Sequence, residues 1–272
     1  MADLNELLTV VVPVKNEEAN LAGCLENVRD LRHVVLVDSG STDRTREIAA
    51  AAGREVLDFV WNGHFPKKRN WVLRNYAFRT PWVLFLDADE RLTPAFRDEV
   101  SRELASSDAD AYICFYDNWF LGRMLRHGDT MRKTAILRVG AGEYERIDED
   151  NWSALDMEIH EHLQVTGTIG TIRARLEHHD HRSLEAYRAK HEQYAAWEAA
   201  RYRALKKGSG WSALTRRQRL KYGLVTRWWF GLAYFLATYV GKLGFLDGKP
   251  GWVFACGKMR YFQLIRVQIG RQ

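Results

Sequence analysis

Trp82-Val83-Leu84-Phe85-Leu86-Asp87-Ala88-Asp89-Glu90 runs five apolar residues straight into three acids with one alanine among them. An apolar run this short, with Thr80-Pro81 before it and acids after it, reads as a strand buried on both faces. Proline pushes the residue before it out of helical geometry, so the helical pattern of residues 68–78 has to end ahead of the strand. The strand delivers Asp87 and Asp89 at its carboxyl end. A single small residue between two carboxylates lets both reach one hard cation and the phosphate oxygens bound to it, a task that suits magnesium or manganese. Taken alone, two acids in this spacing are ordinary loop residues, so the neighbouring segments decide the reading.

Outward from this strand, the first half of the chain alternates short apolar runs with helical patterns, as a sheet with crossover helices does. Leu8–Val14 is the first buried strand, and Leu21, Cys24, Leu25 and Val28 mark one apolar face of a helix over residues 20–30. Val34–Val37 is the second strand, ending in Asp38. Ser39-Gly40-Ser41-Thr42-Asp43 follows as a loop rich in helix-capping residues, then a helix over residues 44–52 stopped by Gly53, then a shorter strand at Glu55–Phe59. In open α/β sheets ligands bind at the carboxyl ends of the strands, so Asp38 and Asp87 are expected beside one crevice that holds a nucleotide. Ser41, Thr42 or Asp43 could simply cap the helix. Asp38 precedes the loop and is read as facing the crevice, where it could accept a hydrogen bond from a base N–H or a ribose hydroxyl.

Beyond a strand at Ala111–Phe115, the pattern is irregular to about residue 155 and is read as substrate-covering loops. A strand pair over Leu163–Leu176, turning near Gly167 or Gly170, leads to a histidine-rich stretch, Glu177–His181, and then to a helix from Ser183 to about Lys207.

The composition, 46% hydrophobic and 28% charged with 5 Pro in 272 residues, argues against long disorder and allows a large α/β domain with an appendage. Cys24, Cys114 and Cys256 match neither a zinc-ligand nor a redox spacing and read as thiols in a reducing compartment. Met1–Glu6 carries Asp3 and Glu6 rather than basic residues before an apolar stretch, so a cytoplasmic protein is expected. The net charge of +5 conceals an asymmetry: residues 1–198 hold 25 Lys+Arg against 34 Asp+Glu, whereas residues 199–272 hold 15 against a single acid, Asp247. A basic appendage of this kind faces an anionic partner.

That appendage contains Trp228–Val240, an apolar run of 13 residues, short of the roughly 20 that span a bilayer as a helix. With Trp211, Trp228, Trp229 and Trp252 among Arg and Lys, it is read as lying in one leaflet of an anionic membrane surface. The competing reading is an ordinary buried helix with a basic solvent face. Nucleic acid ranks behind the membrane and is not expected as a partner, because the apolar run is continuous and the acidic first part would repel phosphates.

Three segments in order, Val11-Val12-Pro13-Val14-Lys15-Asn16-Glu17, Val37-Asp38-Ser39-Gly40-Ser41-Thr42-Asp43-Arg44-Thr45 and Phe85-Leu86-Asp87-Ala88-Asp89-Glu90, resemble the family 2 glycosyltransferases of the GT-A fold. The resemblance implies an α/β GT-A domain, over residues 1–200, while the basic and aromatic composition reads residues 201–272 as a helical, membrane-surface segment. It implies that Pro13, Asn16 and Glu17 border the nucleotide, that Asp38 binds the base, and that Asp43 holds the loop. Lys68, Arg69 and Asn70 would line the base and diphosphate, although two basic residues before a helix could equally be a solvated face. The Asp87-Ala88-Asp89 stretch would hold the metal and diphosphate, with Asp87 on the ribose or the metal and Asp89 a direct ligand of Mg2+ or Mn2+; the donor is expected to be a UDP-sugar.

Ile159-His160-Glu161-His162-Leu163, Leu176-Glu177-His178-His179 and Gly244-Phe245-Leu246-Asp247-Gly248 resemble the lipopolysaccharide-core glucosyltransferase branch. Enzymes of this kind invert the anomeric carbon by direct displacement, so one carboxylate takes the proton of the acceptor hydroxyl. Asp156, Glu158 and Glu161 are the candidates. Glu161 is favoured, and because His160-Glu161 stands where relatives carry a Glu-Asp pair, Glu158 stays in play. Of His178, His179 and His181, the resemblance favours His178 as a further metal ligand. The implied reaction is transfer of a hexose from a nucleotide-diphosphate sugar to a glycan or lipid-linked saccharide in cell-envelope synthesis, on the inner face of the cytoplasmic membrane. Two rivals remain: a nucleotidyltransferase, which would carry a glycine- and basic-rich triphosphate loop where Pro13–Glu17 stands, and a catalytically silent saccharide- or membrane-binding protein. The sequence leaves the oligomeric state open.

Overall fold

A computed structural model describes residues 2–147, 162–179, 184–208 and 210–271. The described residues form two compact units, one of residues 2–119, 130–147 and 162–179, the other of residues 120–129, 184–208 and 210–271.

The first unit is built on α1 (Leu4–Leu7), β1 (Leu8–Val14), α2 (Leu21–Asn27), β2 (Val34–Asp38), α3 (Thr45–Ala51), β3 (Glu55–Asp58), α4 (Lys68–Asn75), β4 (Trp82–Phe85), β5 (Glu90–Arg91), α5 (Pro94–Ser106) and β6 (Ala111–Phe120). After β7 (Arg123–Leu125) of the second unit come β8 (Met131–Arg138), β9 (Gly142–Tyr144), β10 (Leu163–Val165) and β11 (Ile169–His179). The main sheet runs in the order β3-β2-β1-β4-β8-β6-β11-β5. Strands β3, β2, β1 and β4 are mutually parallel, and β8 enters antiparallel between β4 and β6.

Alternation along the strands builds a core on each face. Val10, Val12, Leu36 and Leu84 pack with α2 and α5, while Val11, Val35, Val37, Val83 and Phe85 pack with Phe59 and Val72 on the other side. Each of these side chains is at most 5% exposed, which is why the strands read as unbroken apolar runs. This mixed, helix-flanked sheet is the GT-A-like arrangement that the resemblance implies.

Two expectations are corrected. Residues 116–155 are not all loop: β6 continues to Phe120, and β8 lies inside the sheet. Only Ala135, Ile136 and Leu137 of β8 are buried, and charged residues on either side of them hide the strand from a reading by apolar runs. Nor do the strands of Leu163–Leu176 pair with each other. β10 pairs with β9, whereas β11 pairs with β6 and β5, because Thr168 and Asp110 fix the start of β11 against β6.

The second unit comprises α6 (Leu184–Lys207), α7 (Arg216–Leu224), α8 (Phe230–Phe235), a π-helical turn (Leu236–Gly241), a 3-10 turn (Gly244–Asp247) and α9 (Gly248–Gly270), together with residues 120–129. Ala195, Tyr222, Val225, Tyr261 and Ile265 form its core. Buried Glu198 accepts hydrogen bonds from Lys221 and, at 2.8 Å, from the Tyr222 hydroxyl. Asp247 accepts from the backbone N–H groups of Arg126 and His127, at 3.1 and 2.9 Å, and so fixes residues 120–129 against the Gly244–Gly248 turn. Among the described residues no helix is long and apolar enough to cross a membrane, and the Trp228–Val240 run is divided among a turn, α8 and the π turn.

Candidate active site

The carboxyl ends of β1, β2 and β4 lie side by side because the three strands are parallel neighbours with Val14 opposite Asp38. Pro13 is half-buried within β1, next to this end. Just past it, Asn16 adopts a left-handed backbone (φ 55°), a conformation that asparagine tolerates better than most residues. From there its backbone N–H donates to Ser41 Oγ at 2.9 Å, and its Oδ1 accepts from Thr42 N at 2.8 Å. Glu17 N donates to Thr45 Oγ1 (2.8 Å), Glu18 N donates to Asp43 Oδ2 (3.0 Å), and Asp43 Oδ1 accepts from Thr45 N (3.0 Å). Burial would raise the Asp43 pKa, but hydrogen bonds from Thr45 and from backbone N–H groups outweigh it and hold the carboxyl below its ordinary value. The first two loops are thus zipped together by the residues that carry the first two motifs.

Asp38 is 1% exposed. One carboxylate oxygen accepts from Ser41 Oγ (2.6 Å) and N (3.1 Å), and the other from Arg46 Nη1 (2.8 Å). The side chain therefore anchors the Ser39–Asp43 loop, where the sequence suggested a group facing the crevice.

The basic segment that opens α4 divides its labour. Lys68 is buried, and its Nζ donates to Val14 O at 3.0 Å and to Ser39 Oγ at 2.7 Å, clamping β1 to the second loop. Asn70 is buried too and exchanges two hydrogen bonds with the Tyr144 backbone, at 2.9 and 2.8 Å, which seats β9. Arg69 points between them: its Nη2 donates to Asp87 Oδ1 at 2.9 Å, and its guanidinium lies 5.2 Å from the Tyr144 ring centroid.

At the end of β4, ligand-capable oxygens of Asp87, Asp89 and Glu90 all lie within 4.8 Å of one another. Ala88, buried between the two aspartates, accepts a hydrogen bond from Arg91 through its carbonyl, and Arg91 also donates to Asn20 O, so the turn is tied to α2. Lys133 Nζ lies 2.6 Å from Asp87 Oδ2, as a hydrogen bond, and 2.6 Å from Glu90 Oε1, as an ion pair off the hydrogen-bond direction. Glu90 Oε2 accepts from Asp87 N at 3.0 Å.

Two opposite pKa shifts follow from this crowding. Burial would raise the Asp87 carboxyl, but Lys133 and Arg69 bring it down to about 2. For Glu90, fully buried, burial wins over Lys133 and is reinforced by Asp87 and Asp89, raising it to about 7. Burial disfavours charge on Lys133 as well, yet the two acids hold its pKa above the ordinary lysine value.

β5 pairs antiparallel with β11 so that His178 stands opposite Glu90. His178 Nε2 comes within 3.4 Å of Asp89 Oδ2, and its Nδ1 within 3.1 Å of Asn118 Oδ1. Burial opposes its protonation and Asp89 favours it, with a net rise in pKa. Because successive strand residues face opposite ways, His179 is turned elsewhere: it stacks on Trp119 and lies 2.8 Å from Glu177 Oε2.

Of the residues singled out in the sequence, Asp87, Asp89, Arg69 and His178 come together, while Asn16, Glu17, Asp38, Lys68 and Asn70 build the loops around them. Asp156, Glu158, His160, Glu161 and His181 lie outside the described residues. Lys133 and Glu90 are the site residues that motif reading missed. Glu90 was visible as the third acid of the run, whereas Lys133 had no local signal, since β8 itself was unread.

Oxygen donors of this kind fit a hard divalent cation, and a lysine and an arginine beside them fit the phosphates that such a cation carries. The sequence profile described as Glycosyl transferase family 2 matches residues 9–162. An uncharacterized glycosyltransferase of Rickettsia bellii is 25% identical over 90% of this chain and 83% of its own length. The lipopolysaccharide core biosynthesis glycosyltransferase LpsC of Rhizobium meliloti is 29% identical over 61% of this chain and 60% of its own. Among solved structures, glucosyl-3-phosphoglycerate synthase of Mycobacterium tuberculosis, crystallised with Mn2+, UDP and glucosyl-3-phosphoglycerate, is 26% identical over 41% of this chain and 44% of that one. The TM-score to that structure is 0.35. The profile spans more than half of the chain and contains all three acidic strand-end motifs: the chain belongs to glycosyl transferase family 2.

Proposed function

We propose that the chain transfers a hexose, with inversion, from a UDP-sugar to a hydroxyl of a glycan or lipid-linked saccharide of the cell envelope, using Mg2+ or Mn2+ held by Asp87 and Asp89. The observation that carries this reading is the convergence of three carboxylates within 4.8 Å at the end of β4, with Arg69 and Lys133 beside them. The likeness to LpsC supports a cell-envelope acceptor.

A divalent cation bound there would supply Lewis-acid stabilisation of the charge that builds on the departing diphosphate. The chain's own groups would do the rest. Arg69 and Lys133 would turn toward phosphate oxygens, a bidentate and a point-charge contact respectively. His178 would steady Asp89 or join it as a ligand. Pro13, Asn16 and Glu17 would border the nucleoside, held in place by Lys68, Asn70 and the Asp43 loop. Asp38 would meet the base by exchanging its half-exposed partner Arg46. Glu161, with Glu158 as the alternative, would take the acceptor's proton; both roles rest on the resemblance.

Thermal unfolding with a panel of nucleotide-diphosphate sugars tests the reading, because a ligand at 100 times its Kd stabilises the native state by about 2.7 kcal/mol. A UDP-hexose with Mn2+ should raise the Tm by several degrees and lose that effect when EDTA is added. If no nucleotide sugar moves the Tm with either cation, the silent binding protein becomes the better account.

A further inference from the structure

The two units differ in what they leave exposed. Of the fifteen large apolar side chains exposed among the described residues, nine fall between residues 228 and 252 of the second unit. Four of them, Trp228, Leu232, Leu236 and Val240, recur every four residues and are 71%, 43%, 50% and 53% exposed. Side chains four apart on a helix lie close to one face; Leu232 on α8 with Leu236 and Val240 on the π turn form an outward apolar stripe, which Trp228 in the turn just ahead of α8 extends. The stripe widens through ring contacts: Phe235 and Tyr239 each pack edge-on against Trp252, and Tyr239 against Phe245. Trp252 and Phe245 are themselves about half exposed. A leucine in left-handed backbone geometry, Leu243 (φ 59°), turns a further apolar side chain outward beside them. Singly exposed apolar residues are unremarkable, but a contiguous patch of this kind marks an interaction surface.

Charge identifies the occupant. Arg227, Lys242 and Lys249 are exposed and stand within three residues of Trp228, Val240 and Trp252, although Lys242 also lies 3.9 Å from Asp129, an acid of the same unit. Residues 199–272 contain 15 basic residues and one acid, and that acid, Asp247, is buried on backbone N–H groups, so it does not face the surface. Exposed tryptophans and leucines rimmed by cations suit the headgroup layer of an anionic bilayer, where rings and cations each find a favourable depth.

We infer that this face of the second unit, the Trp228–Val240 stripe with Phe245 and Trp252, is a monotopic membrane-docking surface that inserts its apolar side chains among anionic lipid headgroups. The inference depends on the second unit alone. It can therefore fail while the transfer reaction stands, and the converse also holds.

Flotation of the full chain with phosphatidylglycerol–phosphatidylethanolamine vesicles, against phosphatidylcholine vesicles, tests it, with sedimentation velocity run alongside. The chain should float with the anionic vesicles and sediment as the same species throughout. Leu232→Ser with Leu236→Ser should weaken partitioning by at least ~10-fold, since each removes a buried aliphatic group. Arg227→Gln with Lys242→Gln and Lys249→Gln, a set that gives up only the exposed Lys242–Asp129 pair, should weaken it by about fivefold per charge and make it less salt-sensitive. Both sets should leave the Tm and the response to nucleotide sugar unchanged; if the serine pair alters the fold, the charge set decides. A chain that stays unbound to anionic vesicles overturns the inference. So does a dimer that the serine pair splits into monomers, because a second copy would then be what covers the patch.

Discussion

Two strand ends, one closing β2 and the other closing β4, handle buried acids in opposite ways. At the end of β2, Asp38 has a partner for each oxygen: the Ser41 hydroxyl and backbone on one, Arg46 on the other. At the end of β4, three carboxylates share Arg69, Lys133 and His178, and one of them, Glu90, sits fully buried with its pKa raised to about 7. The first arrangement holds a loop; the second is crowded with like charge, and a divalent cation would relieve it. Removing one partner of a matched buried charge is strongly destabilising, whereas a charge that is incompletely matched already costs stability until a ligand arrives, as is common at functional sites.

The comparison breaks most readily with a pair of isosteric substitutions. Asp38→Asn keeps the shape but replaces an acceptor by a donor facing Ser41 or Arg46, and should cost about 1–3 kcal/mol in urea unfolding. Asp89→Asn removes one of three repelling acids and should leave stability in EDTA unchanged or slightly higher. Equal losses for the two would mean that the β4 end is as well matched as the β2 end.

A finer contrast lies in pH. The folded pKa of Glu90 is raised, so between about pH 4.5 and about pH 7 the native state holds a proton that the unfolded chain has released. Stability attributable to this residue is therefore intact below pH 4.5, declines as pH rises through that window, and is level above it. In EDTA, Glu90→Gln should gain on the parent from pH 5 to pH 7 and keep a constant lead beyond. Parallel Tm curves would show that Lys133 already matches the charge.

Much of this was legible in advance, and what was missed has a physical cause. β1, β2 and β4 are buried on both faces, so Leu8–Val14, Val34–Val37 and Trp82–Leu86 announce themselves as apolar runs, and the acids after them fall at the carboxyl ends. β8 is buried only over Ala135–Leu137, so neither it nor the site residue it carries, Lys133, has a local signature. Its place between β4 and β6 is a long-range pairing that no window of sequence contains. The partner of Asp38 is hidden for a similar reason: Arg46 is the second residue of α3, eight positions on, and a side chain that reaches back leaves no mark in a motif. The resemblance points to His178, and strand alternation with the pairing to β5 brings its ring, rather than that of His179, beside Asp89, a placement no motif spells out.

Binding of a divalent cation by the acids at the end of β4 is what the proposed reaction requires. Electron paramagnetic resonance counting of Mn2+ in the presence of UDP tests it most directly, with the parent chain and Asp89→Asn side by side. The parent should take up one equivalent saturably and the variant should bind at least ~100-fold more weakly, since removing a direct ligand costs at least as much as the roughly 10–100-fold typical of an outer-shell partner. Equal, unsaturable uptake by both would contradict the account.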